Sequence, residues 1–150
     1  MIKLIIPGTP IAKARPRFYR RGKHMGTYNS QETEEGRFML ACQSQLINHE
    51  LFTGPLWMTL CFYMPRPKAH YGSGKNADKL KPSAPTEHIK KPDLDNLIKF
   101  VKDCLNGIAW VDDSQIVSLS ADKVYARVPQ TRIAISDSYV LFNDSTLFNS

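Results

Sequence analysis

The sequence predicts an α+β domain, a small mixed or antiparallel β-sheet packed with two main helices in the order β-α-β-α-β-β. Three observations point there. A chain of 150 residues, 42 % of them hydrophobic, has the length of one domain and enough apolar material for its core. Two stretches, one starting near residue 30 and one near residue 94, repeat apolar residues at helical spacing. Stretches rich in β-branched and aromatic residues, bounded by Pro, Gly or Asp, alternate with them and read as strands.

The elements follow in order. Residues 2–7 alternate weakly and open the sheet. Residues 8–28, with Pro7, Pro10 and Pro16, read as a basic loop. A helix is predicted from Asn29 or Ser30, because Asn29 and Glu32 make a capping pair and Glu34 and Glu35 suit the positive end. Phe38, Ala41, Cys42, Gln45, Leu46 and His49 carry it to about Leu51. The run LWMTLCFY, from Leu56 to Tyr63, is a central strand between Pro55 and Pro65. Residues 64–91 form a loop of about 28 residues, a length that is usually functional or disordered. The second helix begins at Asp93 or Leu94. Leu94, Leu97, Ile98, Val101, Cys104 and Leu105 form its apolar stripe, and Asn106-Gly107 stops it. Residues 116–128 and 131–136 read as a hairpin closed around Pro129-Gln130. One domain thus covers 1–136, and residues 137–150 form a tail, flexible or at a dimer interface, with Tyr139, Phe142 and Phe148.

Composition narrows the function classes. No apolar run approaches the ~20 residues of a membrane span, and the N-terminal segment does not resemble a signal peptide, so a cytoplasmic protein is expected. Cys42, Cys61 and Cys104 are far apart among apolar neighbours and read as buried free thiols. The four histidines make no zinc-ligand spacing. The formal net charge is +6. Lys13, Arg15, Arg17, Arg20, Arg21 and Lys23 fall in an acid-free stretch. A second stretch holds Arg66, Lys68, Lys75, Lys79, Lys81, Lys90 and Lys91. Such clustering in Pro- and Gly-rich segments suits a polyanionic partner. Phe18 and Tyr19 interleave the first cluster and suit stacking on bases. Lys75, Lys79 and Lys81 read equally well as phosphate contacts or as a solvated face.

Against this background stands "KPDLDNLIKFVKDCLNGIAWVDDSQ", which concentrates acid in two tight pairs, Asp93/Asp95 and Asp112/Asp113. Asp93 suits the N-cap of the second helix and Asp95 its first turn, where the helix dipole favours the ionised form. Capping alone accounts for Asp93. The second pair follows the same helix, and about five residues, 107–111, are available to return along it. The sequence allows Asp113 to meet Asp93 without requiring it. If three carboxylates converge, their repulsion makes a hard divalent cation such as Mg²⁺ their natural partner, and such an ion also binds phosphate and activates water. Lys99, four residues after Asp95, is either an ordinary i,i+4 ion-pair partner or a cation held for the scissile phosphate.

The segment from residue 91 to about 117 is similar to the signature of RusA-type Holliday junction resolvases of bacteria and their phages. That signature is Asp-x-Asp-Asn opening a helix, a Lys four residues after the second Asp, then aromatic-x-Asp-Asp-small-Gln. The resemblance implies metal ligation by Asp93, Asp95 and Asp113, with Mg²⁺ or substituting Mn²⁺, and a catalytic role for Lys99. It makes Asn96 and Asp112 accessory residues. It also implies a homodimer that cuts two symmetry-related strands of a four-way junction, leaving 5′-phosphate and 3′-hydroxyl ends. Branched DNA is then the expected partner, with Lys13, Arg15, Arg17, Arg20, Arg21, Lys90 and Lys91 as DNA contacts. Two competing readings are a nuclease for flaps, forks or other phage replication intermediates, and a non-catalytic basic DNA-binding module whose aspartates only cap and turn.

Overall fold

The computed structural model describes residues 1–139. Its elements are β1 (Ile2–Pro7), β2 (Arg17–Arg21), β3 (His24–Tyr28), α1 (Glu32–Gln45), β4 (Leu56–Pro65), α2 (Leu94–Leu105), β5 (Ile116–Ala126) and β6 (Gln130–Ser136). Four strands form one mixed sheet in the order β1-β6-β4-β5, and β2 and β3 form a separate two-stranded ribbon. The α+β class and the mixed sheet with two helices are as the sequence predicts. Among the described residues, no helix is long and apolar enough to cross a membrane.

The core lies between one face of the sheet and both helices. Leu4, Leu56, Met58, Leu60, Phe62, Ile133 and Ile135 are buried on the sheet side. Leu97, Val101, Cys104 and Leu105 face them from α2, as the apolar stripe predicts, together with Phe100, which the stripe left out. The helices meet where the Phe38 and Phe100 rings pack edge to face, 5.3 Å between centroids. The three cysteines are free and buried, and burial pushes the Cys42 and Cys104 thiols up to about 12.

Three sequence expectations are corrected. Residues 8–28 are not all loop, since they contain the β2–β3 ribbon. Its two-residue connection is Gly22-Lys23, with Arg21 paired to His24. Gly22 has φ +63°, the conformation that opens a turn of this kind.

The first helix is shorter than expected. Gln31 occupies its N-cap, and Asn29 stands outside, accepting from the Gln31 N–H at 2.9 Å and donating to Glu35 at 2.8 Å. It stops at Gln45; Leu46 still packs into the core as the C-cap, but Ile47 beyond is 77 % exposed, so no continuing apolar stripe draws the chain into another turn.

β5 and β6 do not pair with each other. β4 lies between them, parallel to β5 and antiparallel to β6. The burial patterns give the reason. β5 alternates and has no fully buried position except Tyr125, which suits an edge, whereas β6 is buried at five of seven positions and needs a strand on each side. Three linking residues, 127–129, span the roughly 10 Å of two strand spacings without strain.

The 64–91 segment is folded. β4 takes its first two residues, two single turns of 3₁₀ helix follow, and Tyr71 pairs with Leu80. Its end adds to the outer edge of β5, where the Glu87–Val124 bridge forms and the Tyr125 N–H donates to Thr86 at 2.8 Å. The Tyr125 ring is bracketed by the rings of His70 and His88, at 4.7 and 4.6 Å, and by the Arg66 guanidinium at 5.5 Å. This clamp delivers residues 90–93 to the start of α2. Of the tail, Tyr139 packs 5.9 Å from Trp57, while Phe142 and Phe148 lie outside the described residues.

Candidate active site

The start of α2 is the acidic centre. Asp93 is the N-cap by position, with extended φ and ψ, yet its carboxylate makes no capping bond. Both its oxygens instead accept from Lys91 Nζ at 2.7 Å. That ammonium holds the Asp93 carboxyl below the usual carboxylate range, with Lys123 adding to the effect, so Asp93 is ionised at neutral pH. Asp95 sits in the first turn, exposed, with no side-chain hydrogen-bond or ion-pair partner among the described residues. Lys99 lies on the same face, also exposed, and the ion pair that its spacing permits is not formed. Asn96 is half-buried, and its carbonyl accepts from the Lys13 N–H at 2.9 Å, which ties the basic N-terminal loop to the helix start.

Lys123 is a residue that the sequence reading missed. It reaches from β5 and donates to the carbonyls of Lys90 and Pro92, both at 2.7 Å, so it fixes the approach to Asp93. A single lysine in an alternating strand carries no sequence signal. Its role depends on the 86–88 segment lying beside β5.

The second acid pair is elsewhere. Gly107 has φ +79° and donates to Trp110 at 2.8 Å, which closes a tight loop at the C-terminal end of α2. Trp110 is fully buried there. Its indole N–H donates to Asp113 Oδ1 at 2.8 Å and fixes that carboxylate. Asp112 accepts from the Ser114 N–H at 2.9 Å and from the Ser114 hydroxyl, bonds that hold its carboxyl below the ordinary range. The Gln115 side chain accepts from the Asp112 N–H and donates to the carbonyls of Phe52 and Gly54. The Trp-x-Asp-Asp-Ser-Gln motif is therefore a self-capped turn nailed to the 52–54 segment.

Because Asp93 and Asp113 sit at opposite ends of a twelve-residue helix, they stand roughly 18 Å apart. The return along residues 107–111 that would carry Asp113 to Asp93 within one chain does not occur. Among the described residues, no group of three acidic, histidine or cysteine side chains is close enough to hold a metal ion.

Of the basic residues, Arg15, Arg17, Arg20, Arg21, Lys90 and Lys91 are exposed. Lys13 is not available in the same way. Its ammonium lies 2.6 Å from Glu35 and 3.3 Å from Asp103, a tie between the loop, α1 and α2. Its ammonium is thus engaged within the fold, unlike the exposed arginines. A cleft of about 690 Å³ opens between residues 6–12 and α1 and reaches Pro92. Its walls are mixed, with Ile6, Ile11 and Phe38 beside Gln31, Glu34 and Arg37.

A basic α+β domain with an acidic helix start beside lysines, and with exposed arginines on its N-terminal ribbon, has the features of a nucleic-acid enzyme. The profile of the family described as endodeoxyribonuclease RusA matches residues 7–136, up to the last residue of β6. The chain is also 34 % identical over 137 residues to the uncharacterized protein YqaN of Bacillus subtilis (strain 168), covering 91 % of this chain and 96 % of that one. The chain belongs to the RusA family and is an endodeoxyribonuclease of the Holliday junction resolvase class.

Proposed function

We propose that this protein resolves four-way DNA junctions by paired, symmetric nicks, with Mg²⁺ as its cofactor and Mn²⁺ able to replace it. The observation that carries this reading is the start of α2, where Asp93 is ionised, Asp95 and Lys99 are exposed with no ion-pair partner among the described residues, and Lys91 and Lys123 stand beside Asp93. Mg²⁺ is usually held by one or two carboxylates together with water and substrate phosphate, a set that Asp93 and Asp95 match. Lys91 is 83 % exposed on its side chain against 50 % for Asp93, so it can swing aside without breaking packing. When bound, the ion supplies an activated water and offsets charge on the scissile phosphate. Lys99 then stands one turn from Asp95, within reach of the same phosphate, where its ammonium stabilises developing charge. Asn96 and Lys123 keep the helix start in place, and the exposed arginines hold the DNA backbone.

Asp113 joins this centre only from a second copy. Two chains related by a two-fold axis perpendicular to α2 have antiparallel α2 helices, so the Asp113 end of one faces the Asp93 end of the other. Such a homodimer carries two equivalent sites, matching the two strands to be cut, with Asp112 supporting the turn that presents Asp113.

The test is nicking of a synthetic four-way junction with and without Mg²⁺. Asp95→Asn is expected to bind the junction and leave it uncut. Cleavage by the wild-type protein in excess EDTA would remove the metal from this account. Equal rates on junction, Y-fork and linear duplex would remove the junction.

A further inference from the structure

The β2–β3 ribbon stands apart from the four-stranded sheet, and among the described residues its strands pair only with each other. A lone two-stranded ribbon is marginal in water, so its exposed apolar side chains need an account. Its base is fixed. The Gln31 side chain accepts from the Ala14 N–H at 2.6 Å and donates to the Ala12 carbonyl at 2.8 Å. Its two aromatic residues on β2 differ. The Tyr19 ring lies over Gly26 on the facing strand, where an added Cβ would come within 2.7 Å of it, so Tyr19 staples the ribbon internally. Phe18 is on the other face and is 79 % exposed. Met25 is 76 % exposed and pairs with Arg20, which places it diagonally beside Phe18 on that same face. An outward pair of large apolar residues thus sits on an element that also carries Arg17, Arg20, Arg21 and Lys23. Among the described residues, none of these four has an ion-pair partner.

The charge decides what covers the patch. A second copy of the ribbon would bring four more cations against these four. A nucleic acid brings phosphates to the cations and flat base faces to the apolar pair. The ribbon is narrow enough for the major groove, and apolar side chains inserted beside basic ones unstack base steps. A four-way junction offers such steps at its branch point. We infer that the β2–β3 ribbon is a junction-opening arm, in which Phe18 and Met25 pack against unstacked bases at the branch point while the arginines hold the adjoining phosphates. This rests on the junction reading above and adds the surface that recognises the branch.

The experiment uses a four-way junction with 2-aminopurine beside the branch point, titrated with the full chain in EDTA so that binding is read without cleavage. Wild type is expected to raise the fluorescence as the base unstacks. The double variant Phe18→Ala, Met25→Ala is expected to lose most of that rise and to bind the junction about ten-fold more weakly. Its affinity for linear duplex should change less than about two-fold, because the phosphate contacts remain. Phe18→Trp, which keeps a stacking surface, is expected to retain the rise. An unchanged rise in the double variant overturns the inference. So does an equal loss on linear duplex, or loss of self-association by sedimentation, which would assign the patch to a second copy. Both side chains are exposed, so the thermal melt of the double variant should match wild type. Nicking of the same junction in Mg²⁺ is run in parallel. Its absence in wild type defeats the nuclease reading, whereas the fluorescence still decides the ribbon.

Discussion

Replacing Lys13 by Met separates two roles for a basic residue. The ammonium lies 2.6 Å from Glu35 and 3.3 Å from Asp103, and the Lys13 and Glu35 side chains are only 23 % and 19 % exposed. In an effective dielectric of about 20, the contacts are worth roughly 6 and 5 kcal/mol of gross attraction. Desolvation and side-chain ordering offset most of this, and Asp103 is more than a third exposed, so a net loss of about 1–2 kcal/mol is expected. For a domain of this size that lowers Tm by roughly 3–6 °C. The pH dependence follows from the two shifts. The hydrogen bond from Lys13 holds the Glu35 carboxyl below its ordinary 4.5, so its contribution is complete above that pH and is lost as pH falls through the depressed value. The bond to Glu35 raises Lys13 above its ordinary 10.5, so its contribution is complete below that pH and is lost as pH rises through the elevated value. The gap in Tm between wild type and Lys13→Met should therefore be widest between those two values and close in acid. Melts monitored by circular dichroism across pH measure it, alongside junction binding at several salt concentrations. A variant that melts within 1 °C of wild type, while the slope of log K against log[salt] drops by about one, would refute this reasoning and make Lys13 a phosphate contact.

Other substitutions address the centre itself. Lys99→Ala should leave junction affinity within about two-fold and lower the nicking rate by about 10²-fold or more, measured in single-turnover assays. A change in Tm alone would reduce Lys99 to a surface charge. Lys123→Met removes two bonds to carbonyls and should raise the Mn²⁺ concentration for half-maximal nicking several-fold, with partial recovery in Lys123→Arg. An unchanged metal titration would limit Lys123 to stability. Trp110→Phe takes the donor from Asp113 and should cost about 1–2 kcal/mol by urea denaturation. It should also slow nicking, and full activity in this variant would show that the orientation of Asp113 is unimportant.

Local pattern made much of this legible. The stripe from Leu94 to Leu105 predicts α2 and its buried face, and the LWMTLCFY run predicts β4 because a strand buried on both sides needs such a run. The β2–β3 ribbon was present as Gly22-Lys23 between short aromatic and β-prone runs, but six charges in eleven residues masked it as loop. Pairing partners are a different matter. That β5 and β6 flank β4 instead of each other depends on how much burial each strand demands, which emerges only when the sheet is assembled. The candidate site divides the same way. Residue types and the start of α2 were readable from Asp93, Asp95 and Lys99. The separation of Asp113 was not, because it depends on Trp110 being buried at the far end of the helix.

The position of β6 bears on how the chain comes into being. Among the described residues it is the last strand in sequence, yet it bonds to both β1 and β4, joining the first strand to the middle one. While residues 130–136 are still inside the ribosome, β1 has no neighbour in the sheet and β4 lacks one side. The pairing of Ile2 with Ile135 is about as non-local as a chain of this length permits, and such contacts form slowly. A chain cut short before Gln130 should therefore be an aggregating fragment instead of a folded nuclease.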